Sequence, residues 1–473
     1  MPQLDGRDEM TALILHDSKS DIQITTVMSD GLIPPLAEDE AGLPGPSIGE
    51  SIPHEPLIGR ERRRPFRAFN NHEFRLLFAA YAIGDIGFWI SHISLQSEMS
   101  RITRTSSLWL GILFFTTFIP MLLFAPIAGV IADRVDRKKM LIVTRGAVGL
   151  IATALGLVVF ANLESPEVLV VFGFLMGTMF AFMAPAQQAA TANSVPTSDL
   201  TSAISIQSAG NNLARIGGPG LAVPILVFWG PGWAFIIYAI SNLLMLLTLL
   251  PIHLSSHLST SETGSTWHRW KQGLIYAQSR PPAVAALVLM GIFSIFGAAH
   301  VALLPVFSTD ILGHPRDDFT ILVIASGVGA VVGALATGFR RTTPTLGTAS
   351  GWVAGFGMTG IMFAFSTTWD LSLFLIAVMG FCYFSVTTSL NTLLQHISDD
   401  EKRGRIMGLF AVAWAGLIPF GGIWMGFVAS EVGAPLALGI GAGVCLTCAG
   451  FFILRERSGV YGELVPPLTD PPR

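Results

Sequence analysis

Two charged residues stand in otherwise apolar stretches of this sequence, Asp85 and Arg215. They lie roughly eleven and thirteen residues into their segments, which at 1.5 Å per helical residue places both about 16–20 Å from the segment ends. An ionised group at that depth in a bilayer costs about 2.5–3.5 kcal/mol on insertion scales, so it should pair or face water. We expect a structural ion pair, a pair that exchanges a proton, or a link through one polar residue such as Asn212.

The loop at residues 129–139 combines glycine, acids and basic residues. It reads Gly-Val-Ile-Ala-Asp-Arg-Val-Asp-Arg-Lys-Lys, so Asp133 and Arg137 are four residues apart and can pair. Asp133 can also face the N-terminus of a later helix near Ile406, where the helix dipole favours an anion. The pattern predicts a latch between two parts of the molecule; the simpler alternative is a basic loop that only sets orientation. The candidate latch residues are Gly129, Asp133, Arg134, Arg137, Lys138 and Arg405.

Polar side chains inside the apolar segments form a third group. Such residues can line a cavity for a polar solute, or they can form hydrogen bonds between helices, which is commoner for any single residue. His300 could also titrate near neutral pH, although a neutral hydrogen-bonded histidine is the alternative. The candidate cavity residues are Gln96, Gln187, Gln188, Asn212, His300 and Asn391.

The elements that must position these residues are helices in a bilayer. Of the 473 residues, 51% are hydrophobic and 13% charged, and the mean hydropathy is +0.60, whereas soluble domains carry about 25% charged residues. Apolar runs of about 20 residues recur, and in lipid such runs must be helical. The predicted fold class is an all-α membrane protein with twelve transmembrane helices. We expect them at 74–96, 108–132, 140–162, 167–192, 202–228, 232–252, 283–307, 319–339, 346–366, 371–393, 406–429 and 434–454.

The distribution of Lys and Arg predicts the orientation of these helices. With the N-terminus inside, most basic residues fall in cytoplasmic loops, and the outer loops hold only Arg101, Arg104 and Arg316. Both ends of the chain are therefore expected in the cytoplasm. Residues 1–65 are rich in Asp, Glu, Pro, Gly and Ser, which predicts a disordered cytoplasmic tail, and 456–473 form a second tail.

A weak internal repeat divides the membrane part. Residues 195–222 align with 397–424 at an offset of about 202, which is typical of a duplicated transporter. Gly129 and Asp133 fall opposite Gly333 and Thr337, so the second copy lacks the acid. We predict two pseudo-symmetric six-helix bundles at 66–252 and 283–455, joined by a cytoplasmic linker at 253–282.

Several function classes are not supported by the sequence. A net charge of −4 gives no basis for binding nucleic acid. Cys382, Cys445 and Cys448 lie in predicted membrane helices, where small packing residues are expected rather than metal or redox groups. The sequence contains no H-E-x-x-H motif, nucleophile elbow or phosphate loop. We therefore expect no enzyme activity, cofactor or metal site.

The 129–139 loop resembles the signature loop of the major facilitator superfamily, G-x-x-x-D-R-x-G-R-R/K-R/K, with Asp136 in place of the inner glycine. Three further stretches resemble the branch that contains the enterobactin exporter and related secretion-type proteins: Phe74-Arg-Leu-Leu-Phe-Ala, Leu213-Ala-Arg-Ile-Gly-Gly-Pro219 and Arg403-Gly-Arg-Ile-Met-Gly408. The resemblance covers about residues 66–455 and implies the major facilitator fold. It also implies that Arg215 stabilises a kinked fifth helix, and that the glycines around Pro219 form a Gly-Pro motif associated with antiporters. Gln96-Ser97-Glu98 departs from the branch pattern.

These features predict a secondary active transporter that exports a small organic molecule by alternating access, coupled to protons. A siderophore, a drug-like compound or a secondary metabolite would suit the branch, and the latch would hold the state that is open to the outside. The alternatives are uptake, lysophospholipid-type lipid transport, and a non-transporting membrane receptor or scaffold. The expected partners are the substrate, protons and the lipid bilayer, with no nucleic acid. We expect a monomer in a bacterial inner membrane.

Overall fold

The computed structural model describes residues 66–252, 266–338, 342–399 and 402–460, and these ranges are almost entirely helical. The predicted tail at 1–65 and residues 461–473 lie outside the described residues. In chain order the helices are α1 His72–Ile102, α2 Ser107–Arg134, α3 Arg137–Phe160, α4 Pro166–Asn193, α5 Leu200–Phe228, α6 Pro231–Leu249, α7 Thr266–Gln278, α8 Pro281–Ile311, α9 Phe319–Gly338, α10 Leu346–Ala364, α11 Trp369–Ile397, α12 Arg403–Val432 and α13 Ala434–Arg457.

Each of the twelve predicted apolar segments coincides with one of these helices, so the predicted fold class is confirmed. Within the described residues, ten helices are long and apolar enough to cross a membrane by length and hydropathy alone. The two others are α5, which carries Arg215 and several amides, and α10, which is rich in glycine. Both nevertheless pack among the apolar helices as membrane helices do, because neighbouring helices cover their polar or glycine-rich faces.

The packing order repeats between the two halves. In the first half α2 packs on α4, and α3 packs on both α4 and α6; in the second half α9 packs on α11, and α10 packs on both α11 and α13. The halves meet where α2 packs on α12 and α5 on α9, two contacts that exchange under the same pseudo-twofold operation. The predicted pair of six-helix bundles is therefore present.

Glycine allows equivalent helices in each half to touch. Gly177 of α4 contacts the carbonyl oxygen of Thr117 in α2, and Gly380 of α11 contacts the carbonyl oxygen of Ser326 in α9. A Cβ atom at either glycine would overlap that oxygen. In lipid there is no hydrophobic driving force between helices, so helix association depends on close packing, which small residues at these crossings allow.

Two helices of the second half contain turns that depart from α-helical geometry. α8 passes through a 3₁₀ turn at Ala298–Leu303 and a π-helical turn at Phe307–Ile311, and α12 contains a π-helical turn at Val412–Gly416. Such turns re-aim side chains and are frequent at functional sites. They place His300 and Trp414 on irregular backbone.

The linker predicted at 253–282 contains a helix, α7, which the sequence analysis missed. Its thirteen residues are short and polar, so a search for long apolar runs does not detect it. The Tyr276 hydroxyl accepts a hydrogen bond from the Asp399 N–H at 3.0 Å. Arg280 donates to the Ile397 carbonyl oxygen and to the Asp399 carboxylate, each at 2.8 Å. These contacts attach the end of the linker to the second half.

The two halves are joined on one side of the bundle. We call the side where α1 begins and α13 ends the terminal side, and the opposite side the far side. On the far side, Ser97 donates a hydrogen bond to Asp317 at 2.5 Å, and Thr105 donates to the carboxylate of Asp310 at 3.1 Å. In the described part of the chain, these are the side-chain hydrogen bonds that link one half to the other. The far side is therefore closed.

The terminal side is open by comparison. Among the described residues, no atom lies within 4 Å of a Cβ built on Gly129, Gly404 or Gly408, which sit near the terminal-side ends of α2 and α12. Asn211 of α5 and Gln395 of α11 are exposed. Within the described residues, the terminal side thus lacks the side-chain hydrogen bonds between the halves that are present on the far side.

The far-side closure depends on a glycine contact that can be tested. A Cβ on Gly426 of α12 would lie 2.7 Å from both the Gly111 Cα and the Ser107 carbonyl oxygen of α2. We expect Gly426→Ala to lower the free energy of unfolding by about 1–3 kcal/mol, because backbone atoms must move to admit the methyl group. Gly443→Ala is the matched control, since its Cβ would meet no described atom within 4 Å. Thermal unfolding in detergent measures both, and equal midpoints would contradict this account of the closure.

Candidate functional site

Arg145 is a buried cation in the middle of the first half. It lies on α3, is 1% exposed, and is the largest fully buried side chain among the described residues. Its Nη1 donates to the Asn242 side-chain oxygen and its Nη2 to the Gln187 side-chain oxygen, both at 3.3 Å. The guanidinium is thus fixed by amide side chains of α6 and α4.

Asp85 lies close to this cation without forming an ion pair with it. It is half-buried on α1, and only the longer-range charge of Arg145 acts on its carboxylate, since no nitrogen of Arg145 lies within 4 Å of it. Gly84 makes room for the guanidinium, because a Cβ there would lie 2.9 Å from the Arg145 Nη1. The Tyr81 hydroxyl donates to the Gln187 backbone oxygen at 3.4 Å. We call these residues, Tyr81, Asp85, Arg145, Gln187 and Asn242, the first-half polar network.

Asp85 and Arg215 do not form an ion pair in the described part of the chain. Arg215 instead lies with its Cζ 5.8 Å from the centre of the Trp89 ring and 5.4 Å from that of Tyr383. The side chain of Asn212, the predicted bridging residue, is outside the described residues, so an indirect link stays a prediction.

The sequence does contain a signal for Arg145. The predicted third segment begins at residue 140, which places Arg145 near a membrane surface, whereas α3 begins at Arg137 and buries it. With α3 beginning at Arg137, Arg145 lies eight residues, or about 12 Å, into the helix. This is shallower than Asp85 and Arg215, so the depth argument alone does not select Arg145. The signal is a charge inside a predicted membrane segment.

Arg215 lies where the two halves meet. Trp89 belongs to α1 and Tyr383 to α11, so the rings that flank the guanidinium come from opposite halves. The Tyr383 hydroxyl accepts a hydrogen bond from the indole N–H of Trp414 at 3.2 Å. We call Trp89, Arg215, Tyr383 and Trp414 the arginine–aromatic cluster.

His300 is buried beside this cluster. Its Nδ1 is 2.9 Å from the Gly297 carbonyl oxygen, and its ring packs edge-on against Phe356. Its Nε2 is buried and has no hydrogen-bond partner among the described residues. Ring contacts through Phe356 and Phe293 connect this imidazole to Tyr383 of the cluster.

The remaining cavity candidates have separate positions. Gln96 is buried and forms a hydrogen bond with His92 at 3.0 Å within α1. Gln188 is exposed, although its neighbour Gln187 belongs to the first-half polar network. Asn391 accepts a hydrogen bond from Gln395 at 2.5 Å near the terminal side. The predicted cavity residues are therefore distributed over several sites, and whether they contact a substrate stays a prediction.

The stretch that departs from the branch pattern lies at the far-side closure. Ser97 forms the bond to Asp317, and Glu98 is buried and paired with Arg101, which also contacts Glu164 at 2.5 Å. This ion pair ties the end of α1 to the loop before α4. The polar residues here stabilise the closed side of the bundle.

The loop predicted to be a latch is partly described. Asp136 caps α3 by accepting a hydrogen bond from the Lys139 N–H at 2.9 Å, and Lys138 donates to the carbonyl oxygens of Leu250 and Ile252 at 2.7 and 2.9 Å. Arg405 packs against Gly273 of the linker helix. The side chains of Asp133 and Arg134 lie outside the described residues, so the latch stays a prediction.

Comparison with known proteins gives the family of this chain. The family model described as "Transmembrane secretion effector" of the major facilitator superfamily matches residues 63–462. The chain belongs to this family. It is therefore a multi-pass membrane transporter and not an enzyme, as the sequence analysis predicted.

Two curated relatives are siderophore transporters by name. The transporter is 24% identical to the staphyloferrin A transporter of Staphylococcus aureus, over 78% of this chain and 94% of that protein. It is 26% identical to the enterobactin exporter EntS of Salmonella typhimurium, over 84% of this chain and 95% of that protein. The predicted resemblance to the enterobactin-exporter branch is confirmed.

Solved structures agree on the fold. A bacterial homologue of the human lysosomal transporter Spinster, in an inward-facing and unoccupied conformation, matches with a TM-score of 0.64 and 13% identity, over 86% of this chain and all of that one. The nucleoside transporter NupG matches with a TM-score of 0.64 and 14% identity, over 82% of this chain and 99% of that one.

A double-mutant cycle can distinguish the two possible partners of Asp85. We expect the effects of Asp85→Asn and Arg145→Gln on the free energy of unfolding to be non-additive, with a coupling of about 0.5–3 kcal/mol. The reason is that either substitution alone already removes the interaction between the two charges. Asp85→Asn combined with Arg215→Gln is the control cycle, and it should be additive within about 0.5 kcal/mol. Unfolding in detergent measures both cycles. Coupling only in the control cycle would show that Arg215 is the partner.

Proposed function

We propose that this transporter exports a small organic molecule by alternating access, driven by the proton gradient. The observation that carries the proposal is the closed far side opposite an open terminal side, with the arginine–aromatic cluster between the halves. A state of this kind receives a substrate on one side only. A second state, closed at the terminal side, would release the substrate on the other.

The terminal side corresponds to the cytoplasm in this proposal, and the membrane is a bacterial inner membrane. Basic residues on the terminal side include Arg137, Lys138 and Arg403, and most charges of this kind lie there in the sequence. A cytoplasmic substrate would enter the open side and leave through the far side. This direction agrees with the names of the enterobactin exporters among the relatives.

The proposed substrate class is a siderophore or a compound of similar size and polarity. The support is that staphyloferrin A and enterobactin are named for two groups of relatives. Drug-like compounds and secondary metabolites belong to the same class of small organic molecules.

Asp85 is the proposed proton-binding residue. It is half-buried on α1, while Arg145 is held in place by Asn242 and Gln187 whether or not Asp85 is charged. Protonation of Asp85 would neutralise its carboxylate. The electrostatic attraction between α1 and α3 at this point would then be lost. A reversible change in one buried charge is a suitable trigger for a transition between two packed states.

Export can be tested while the substrate is still unidentified. Culture media are compared by mass spectrometry for hosts that express the wild type, Asp85→Asn, or no transporter. We expect at least one small organic molecule to accumulate several-fold in the medium only with the wild type, because the variant cannot couple to protons. Membrane abundance of both proteins is the control. A compound that falls in the medium and rises in the cells would support uptake instead.

The latch gives a second test within the same loop. Asp133→Asn should slow export by about tenfold at normal membrane abundance, since a loss of about 1.4 kcal/mol in the terminal-side-closed state is a tenfold loss of its population. Asp136→Asn is the matched control, because asparagine is as good a helix N-cap as aspartate and Asp136 acts as the cap of α3. Equal export rates for the two variants would remove the latch role of Asp133.

A further inference from the structure

Arg215 has an unusual set of neighbours for a charged group deep in a helical bundle. Its guanidinium lies against two aromatic rings, and it forms no ion pair or hydrogen bond with any described residue. Arginine carries five N–H donors in the plane of the guanidinium. Aromatic faces compensate only part of the cost of such a charge, and they leave those donors unused.

The acid at a similar depth, Asp85, does not pair with Arg215. The charge that acts on Asp85 is that of Arg145, which is fixed by Asn242 and Gln187. The described surroundings of Arg215 therefore contain aromatic rings and a second unused donor or acceptor, the Nε2 of His300. Among the described residues, no carboxylate lies within ion-pair distance of this guanidinium.

The cluster is also reachable and is built from both halves. Arg215 and Trp89 are half-buried, and Trp414 is 37% exposed. Trp414 lies on the π-helical turn of α12 and holds the Tyr383 hydroxyl. A ligand placed here would contact α1 and α5 of the first half and α11 and α12 of the second half. It would therefore interact with both halves.

We propose that the arginine–aromatic cluster is the binding site of an organic anion that carries a carboxylate beside a flat aromatic group. The carboxylate pairs with the in-plane N–H donors of Arg215, and the flat group packs against Trp89, Tyr383 and Trp414. Planar guanidinium matches carboxylate in a two-point hydrogen-bonded geometry, and aromatic side chains favour flat partners. The inference rests on the proposed transport function and names the chemistry of its substrate.

The test uses the purified full-length protein in detergent and two probes that differ only in charge, 2-naphthoate and 2-naphthamide. Equilibrium binding is followed by the fluorescence of the naphthyl group. We expect the wild type to bind 2-naphthoate about tenfold or more tightly than 2-naphthamide, since a charged hydrogen bond is worth about that factor. Arg215→Gln should abolish this preference, and Arg215→Lys should keep part of it, because lysine retains the charge but not the two-point geometry.

The controls separate this proposal from other causes. Lys271→Gln removes one exposed positive charge on the linker helix and should bind both probes as the wild type does. The comparison of the two probes on the wild type needs no variant, so it holds even if Arg215→Gln does not fold. Absence of saturable 2-naphthoate binding at millimolar concentration, equal affinity for both probes, or an unchanged preference in a folded Arg215→Gln would overturn the proposal.

Binding and transport fail independently in this design, because the binding measurement needs no gradient and no second compartment. If the protein prefers 2-naphthoate through Arg215 but cells show no export, the binding site is retained and the proposed function is rejected. If Arg215→Gln leaves export unchanged and the wild type binds both probes with equal affinity, the proposed function is retained and the proposed binding site is rejected.

Discussion

A charged side chain inside a bilayer is stable only when another group compensates its charge, and this requirement organises the middle of the transporter. In the first half it brings α3, α4 and α6 together, because Arg145 donates to the amide oxygens of Gln187 and Asn242. Between the halves it brings aromatic rings of α1 and α11 to Arg215. The same constraint thus produces one site within a half, where two amide side chains bind the guanidinium, and one site that is shared between halves. The second is the natural place for a ligand, since its compensation is incomplete within the described chain.

Close helix contacts determine where the two halves can meet. On the far side, Gly111 and Gly426 let the backbones of α2 and α12 touch, and the hydrogen bond from Ser97 to Asp317 lies in the same region. On the terminal side, glycines such as Gly129 and Gly404 have open space around their Cα atoms as far as the chain is described. Packed interfaces have discrete arrangements rather than a continuous range. In the proposed transport cycle, these glycine surfaces would be available for contact when the far side opens.

The irregular helices and the linker connect the arginine–aromatic cluster to the terminal side. The π-helical turn of α12 carries Trp414, whose indole N–H holds Tyr383 against Arg215. The start of α12 packs on the linker helix at Gly273, and the linker is tied to α11 through Tyr276 and Arg280. The second half therefore forms a continuous path from the arginine–aromatic cluster to the terminal-side surface. A helix that changes its hydrogen-bonding pattern in the middle can move its two ends separately.

The sequence by itself determined the class of fold, the number of membrane helices, the twofold repeat and the family, because each depends on local properties. Run length and apolarity select a membrane helix, and the loop at 129–139 carries its motif in consecutive residues. The same local logic missed α7, whose short polar sequence has no long apolar run. Only the tertiary structure decided which charges meet. Asp85 and Arg215 have similar depths along their helices, but depth does not define the rotation of a helix or the identity of its neighbours. Those depend on packing among α1, α3 and α6, where Gly84 admits Arg145 and leaves Arg215 to the aromatic rings.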